Sequence, residues 1–168
     1  MIDFHSHILP GIDDGSRSVE ESLEILSVLS AQGVTKVIAT PHFYANQNSV
    51  DEFLDRRNNS FYRLSNKLTD NLPDIVLGAE VKYYSGISRL EKLNELCIGN
   101  SKLILLEMPF RRWTEFILKE IRDLCAAGNI KVVIAHIERY LGYQTKGVIE
   151  DLVRNGVLIQ ANADFFIN

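Results

Sequence analysis

His5 and His7 stand two apart in the run Ile2-Asp3-Phe4-His5-Ser6-His7, and two carboxylates, Asp13 and Asp14, follow in the loop Ile8-Leu9-Pro10-Gly11-Ile12-Asp13-Asp14-Gly15. Side chains two apart on a β-strand share a face at a Cα spacing of about 6.5 to 7 Å, so two imidazoles can converge on one ion at about 2.1 Å each. A lone H-x-H pair arises by chance in many chains, and the remaining histidines decide its weight. The chain holds four histidines in all, and the other two also close apolar runs: His42 ends Thr35–Pro41 and His136 ends Lys131–Ala135. None is left over for the surface.

Carboxylates fall at comparable places. Glu80 follows Asp74-Ile75-Val76-Leu77-Gly78-Ala79, where it either serves a site or opens a solvated loop, and Glu107 ends Leu103-Ile104-Leu105-Leu106. An unpaired carboxylate at the end of such a strand is costly to bury, and a metal ion removes that cost. The candidate ligands in chain order are therefore His5, His7, Asp14, His42, Glu80, Glu107 and His136. Mixed imidazole and carboxylate donors suit Zn, Mn or Fe, and carboxylates can bridge ions about 3.5 to 4 Å apart. Arg139, three residues after His136, fits either a bidentate phosphate contact or a helix-end ion pair. Arg111 and Arg112 are weaker candidates for the same task, and Tyr83, Tyr84, Tyr140 and Tyr143 fit packing at a rim better than chemistry.

Six short β-branched or Leu-rich runs position these groups, near 2 to 6, 35 to 40, 74 to 80, 102 to 107, 130 to 135 and 157 to 161. Segments of helical period alternate with them, the pattern of parallel strands joined by crossover helices. Ser18-Val19-Glu20-Glu21 reads as a capping box opening a helix over 18 to 32 that Gly33 stops. Further helices are expected over Asp51 to Leu72, ended by Pro73, over Trp113 to Ala127, ended by Gly128, and over Lys146 to Asn155, ended by Gly156. Strands two to six lack strict alternation, which predicts burial on both faces. With every candidate ligand at or beyond the C-terminal end of a strand, a β/α barrel is favoured over an open doubly wound sheet.

Composition bounds the rest. At 168 residues, 46% hydrophobic and 24% charged, the chain reads as one ordinary globular domain over 1–168. A net charge of -4 without a basic block disfavours nucleic acid as a partner. Cys97 and Cys125 lie far apart in apolar or helical stretches and read as buried thiols, neither a disulfide nor a zinc site. The absence of a leader pattern and of an apolar run near 18 residues makes the cytoplasm, without membrane insertion, the simplest address.

HSHILPGIDDG, ATPHF, GAEVKYY, LLEMPF and VIAHIERY, in this order, resemble the polymerase-and-histidinol-phosphatase (PHP) superfamily. More narrowly they resemble the manganese-dependent bacterial protein tyrosine phosphatases of capsule and exopolysaccharide operons, the CpsB/YwqE type, over residues 1 to about 164. The resemblance implies a distorted seven-stranded, TIM-like (β/α)7 barrel with up to three divalent ions, Mn2+ by expectation. It implies His5, His7 and a bridging Glu80 at one ion, Glu80, Glu107 and His136 at a second, and Asp14 and His42 at a third. Arg139, His136 and Glu80 would be catalytic, Arg139 on the phosphate, with a metal-bound hydroxide attacking phosphorus in line. The implied substrate is a tyrosine-phosphorylated kinase of capsule assembly.

The family pattern continues to a final strand bearing an Asp-x-His pair and a second arginine. Here Asp164 is followed two residues later by Phe166, and the sequence stops at Asn168. The expectation is thus a C-terminally truncated barrel of about six units, lacking the last strand, whose exposed edge invites association with another chain. Two alternatives stay beside the tyrosine phosphatase: another phosphoesterase of the superfamily, acting on a substrate such as histidinol phosphate, and an inactive remnant that only docks the kinase. An amidohydrolase also opens with H-x-H but needs a lysine or further histidines on later strands, where this chain has His42 and Glu80.

Overall fold

The structure, a computed structural model, describes residues 1–126 and 130–166. Its fold is mixed α/β with parallel strand pairing, and the chain divides into two compact units, Met1–Ala79 and Glu80–Asn168.

In the first unit β1 (Ile2–Ser6), β2 (Lys36–Ala39) and β4 (Asp74–Leu77) form a parallel sheet in the order β1-β2-β4, with β3 (His42–Phe43) a two-residue strand after β2. Helices α1 (Val19–Ala31) and α2 (Val50–Ser65) supply the crossovers. Ile8, Leu9, Leu26, Val37 and Leu64 are buried together in one apolar cluster, which draws on β2, both helices and the start of the loop 8–15 that carries Asp13 and Asp14. Gly33, at φ +82°, turns the chain out of α1 in a conformation that costs a residue with a Cβ.

The caps differ from the sequence reading in an instructive way. Ser18 does accept the Glu21 N–H, but the Glu21 carboxylate takes the Arg17 N–H at 2.7 Å, not that of Ser18. The full reciprocal box forms instead at α2, where Ser49 Oγ accepts from Glu52 N and Glu52 Oε2 accepts from Ser49 N. Helix α2 ends at Ser65 and not at Leu72. Asn66, Thr69, Asp70 and Asn71 are poor helix formers that bond locally, as Thr69 Oγ1 does to Asn71 Oδ1 at 2.6 Å, while Leu68 and Leu72 still pack on the core from turns.

In the second unit β5 (Glu80–Lys82), β6 (Leu103–Glu107), β7 (Lys131–Ile134) and β8 (Leu158–Ile159) pair in parallel in that order, with α3 (Glu115–Ala126) and α4 (Lys146–Arg154) between the later strands. The expected run 74 to 80 is two strands, broken at Gly78-Ala79, so Glu80 opens β5 and does not close β4. Burial on both faces holds for β2, β6 and β7, whereas β4 is half-buried and Leu158 and Ile159 of β8 are exposed. Ala127 and Gly128, where the third helix was expected to end, lie outside the described residues. Both cysteines are free thiols, and Cys125 is half-buried where full burial was expected. Among the described residues no helix is long and apolar enough to cross a membrane.

Candidate metal centre

Strand β1 is not regular where it carries its histidine. From Asp3 to Ser6 it advances three residues while its partner advances two, from Val37 to Ala39, so a bulge falls at Phe4-His5. A bulge re-aims a side chain, and here the Nε2 atoms of His5 and His7 lie 3.3 Å apart. Nitrogens at that separation are spaced as neighbouring ligands of one ion are, since two bonds of about 2.1 Å would enclose an angle near 100°.

His7 Nδ1 is 2.7 Å from Asp13 Oδ2. A carboxylate can only accept, so Nδ1 carries the proton and Nε2 is the nitrogen offered outward. Asp13 also accepts the backbone N–H of Gly15 at 3.0 Å and of His42 at 3.0 Å. Burial opposes ionisation of this carboxyl, but the hydrogen bonds from His7, Gly15 and His42 outweigh it and hold Asp13 below its ordinary value. Asp13 thereby orients an imidazole and the chain entering β3 at once, the usual task of a carboxylate behind a histidine ligand.

His42 Nε2 is 3.4 Å from Asp14 Oδ1, and ligand atoms of His7, Asp14 and His42 all fall within 4.8 Å of one another. Asp14 is largely exposed, and Tyr44 stacks on the His42 ring at 5.2 Å. A cavity of about 260 Å³ opens beside these groups, lined by Asp13, Asp14, His42, Tyr44, Asn48 and Arg56 among others. The loop can approach His7 only because residue 15 is glycine: a Cβ there would collide with the His7 carbonyl oxygen and Cβ.

The second unit holds its groups deeper. His136 Nε2 and Glu80 Oε1 are 2.8 Å apart, with side chains 4% and 1% exposed. His136 follows β7 in the left-handed region, at φ +35° and ψ +57°, a conformation a histidine adopts at a cost. Gln160, just past β8, offsets it: Oε1 accepts the His136 N–H at 2.6 Å, and its carbonyl accepts the Ile137 N–H at 2.8 Å. Glu107 Oε2 is buried without a hydrogen bond, its neighbouring cation being Lys82 Nζ at 3.6 Å from the facing register position. Both arrangements fit an ion-binding role: the Nε2–H of His136 occupies a position an ion can take, and Glu107 has an oxygen to offer.

A family model for capsular polysaccharide synthesis, CpsB/CapC, matches residues 1–167. The chain belongs to the CpsB/CapC family. Among its relatives, the tyrosine-protein phosphatase YwqE of Bacillus subtilis is 35% identical over 146 residues, covering 83% of this chain and 55% of that protein. The tyrosine-protein phosphatase CpsB of Streptococcus pneumoniae is 31% identical over 171 residues, covering 97% and 68%. A crystal structure from the pair YwqE of B. subtilis and CpsB of S. pneumoniae, described as unique metal-dependent tyrosine phosphatases, superimposes with a TM-score of 0.78 at 28% identity, covering 96% of this chain and 66% of that one. The chain spans a little over half the length of YwqE and about two thirds of the solved chain.

Of the residues singled out in the sequence of this CpsB/CapC member, His5, His7, Asp14 and His42 gather in the first unit, and Glu80 and His136 meet in the second. Glu107 lies beside Lys82, and Arg139 is exposed on the short helical turn Ile137–Tyr140, with no side-chain ion pair among the described residues. Arg111 and Arg112 are exposed. Tyr140 is fully buried, accepts the Met108 N–H at 3.0 Å and packs against Phe110, Trp113 and His136, so it serves the core; burial pushes its hydroxyl well above the usual range. Tyr143 is exposed, and Tyr83 donates to the buried Glu120. Two residues that position the candidate ligands were not assigned that role from the sequence. Asp13 had a signal, since it neighbours Asp14 in the same loop, whereas Gln160 had none, because a glutamine at a strand end bonds a distant backbone N–H without leaving a pattern.

Proposed function

We propose that this chain is the PHP-type part of a metal-dependent protein tyrosine phosphatase, a phosphoric monoester hydrolase whose substrate is phosphotyrosine on a kinase of capsule assembly. The observation that carries this reading is the state of His7: Asp13 holds its Nδ1, and its Nε2 faces His5 Nε2 with Asp14 and His42 in reach. Membership of a capsular polysaccharide family and the phosphatase names of its relatives support the substrate class. The finer architecture we propose is one PHP-type domain with a distorted β/α barrel, supported by parallel strands in each unit with ionisable groups near strand ends.

In this reading His5, His7, Asp14 and His42 in the first unit and Glu80, Glu107 and His136 in the second are the metal ligands, with Mn2+ the expected ion and Zn2+ or Fe compatible with the donor set. Bound ions would supply Lewis acidity toward water and the phosphoryl oxygens. The protein's own part is orientation. Asp13 fixes the His7 tautomer and Gln160 fixes the turn that presents His136, and Arg139, exposed three residues after His136, would offer a guanidinium to the phosphate as charge develops there.

Phosphate release from a phosphotyrosine peptide, measured with and without Mn2+ and with His7→Ala alongside, tests the reading. Mn2+-dependent release that falls on the order of 100-fold in His7→Ala is expected. Release independent of divalent ions, or unchanged in His7→Ala, would sink it. Faster turnover of histidinol phosphate than of the peptide would move the substrate to the small phosphoesters.

A further inference from the structure

We infer that α2 is a clamp on the ligand loop, and that Arg56, Ser60 and Arg63 are its positioning residues. The three lie at i, i+4 and i+7, hence on one face of the helix. Arg56 Nη2 donates to the Ile12 carbonyl at 2.8 Å, Ser60 Oγ to the Pro10 carbonyl at 2.8 Å, and Arg63 Nη2 to the same carbonyl at 2.8 Å. Arg56 is itself steadied by Asn48 Oδ1 at 2.9 Å. All three donors meet main-chain oxygens of Pro10 and Ile12, within four residues before Asp14, in a stretch that belongs to neither strand nor helix and has no ladder to hold it.

The opposite side of the loop is already tied. Ser22 Oγ on α1 donates to the Ile8 carbonyl at 2.8 Å and meets Ser16 Oγ at 2.7 Å, while Gly11 N–H closes on the Ser16 carbonyl and Ser16 N–H on the His7 carbonyl. The loop is thus pinned at its ends by α1 and at its crest by α2. Two of the three α2 donors are charged, and hydrogen bonds from ionised donors are about twice as strong as neutral ones. Arg56 and Arg63 are exposed, so surface salt bridges would be the default expectation, yet both spend their guanidinium on loop carbonyls. The clamp sets how far Asp13 and Asp14 stray from His7 and His42; its consequence for ion binding rests on the metal-centre reading above.

Hydrogen exchange on the full chain, in the absence of metal, decides the clamp. Arg56→Ala combined with Arg63→Ala should speed exchange of the Gly11, Gly15 and Ser16 amides about tenfold or more, leaving the β2 amides of Val37 and Ile38 unchanged. Arg154→Ala, an exposed cation on α4, should change none of them, and Arg63→Lys should restore part of the protection. Unchanged loop exchange in the double variant, or an equal rise at β2, would overturn the clamp. In a Mn2+ titration the double variant should bind several-fold more weakly than the unaltered chain; equal affinity despite a loosened loop would overturn the coupling to the ligands. Failure of the unaltered chain to take up Mn2+ would instead count against the metal-centre reading, with the exchange result still deciding the clamp.

Discussion

The two units hold their ionisable side chains by different means. In the first, Asp14 and Asp13 ride on a loop, and their places are set by hydrogen bonds from side chains to main-chain oxygens and by a glycine that admits close approach. In the second, Glu80 and Glu107 sit within strands whose parallel register fixes them, and the Glu80–His136 pair is almost sealed from water. Sheet register tolerates little displacement, whereas a loop can be tuned or lost by single contacts. Ion binding by the first unit should therefore be the easier to lose through a change at one loop contact, and the arrangement of the second unit the harder to displace.

The largest effect should come from Gly15→Ala. A Cβ at this position meets the backbone and Cβ of His7, so the loop must move, and a loss of about 2 to 4 kcal/mol is expected together with loss of ion binding by the first unit. Urea denaturation and a Mn2+ titration on the same sample read both. A variant as stable as the original that still bound metal would remove the close approach from the account.

His136→Ala comes next. It leaves a 1% exposed Glu80 carboxylate without the imidazole at 2.8 Å and should cost about 3 kcal/mol, more than His42→Ala, whose ring lies beside the exposed Asp14. Equal losses in the two variants would erase the contrast between the units. Gln160→Ala sharpens it further: without the acceptor for its N–H, His136 should leave the left-handed region, at about 1 to 2 kcal/mol, and turnover should fall while ion binding by the first unit is retained. A Gln160→Ala protein with full turnover would show that the turn needs no such support.

The smallest effect concerns a tyrosine hydroxyl of the second unit. Burial first, then the hydrogen bond to Glu120, raises the Tyr83 hydroxyl above its ordinary value of 10.0. The folded state therefore keeps this proton after the unfolded chain begins to lose it, and the stability involved is present below pH 10 and declines above it. Tyr83→Phe should lose about 1 kcal/mol at pH 7 and show a shallower alkaline decline. Parallel stability curves for the two proteins through that range would contradict the assignment.

How much of this was legible in the sequence follows the same division. Strand β1, helix α1 and the apolar runs of β2, β6 and β7 announce themselves through periodicity and composition, and the histidines and Glu107 at or near strand ends point to the candidate site. The break at Gly78-Ala79 did not, because a small pair within an apolar run looks like strand until pairing is known. The early end of α2 was hidden by Leu68 and Leu72, which keep helical spacing while packing from turns. Asp13, through the His42 N–H it accepts, Gln160 and the α2 donors all bond to backbone atoms far along the chain, and such bonds leave no period to read.

The central claim is that the His and Asp side chains of the first unit ligate metal, and calorimetric titration of the chelator-treated chain with Mn2+ tests it most directly. The account predicts saturable binding that is lost in part when Asp14 is replaced by alanine and lost further in His7→Ala, with the fold intact in both. No binding by the unaltered chain, or the same affinity and stoichiometry in all three proteins, would contradict it.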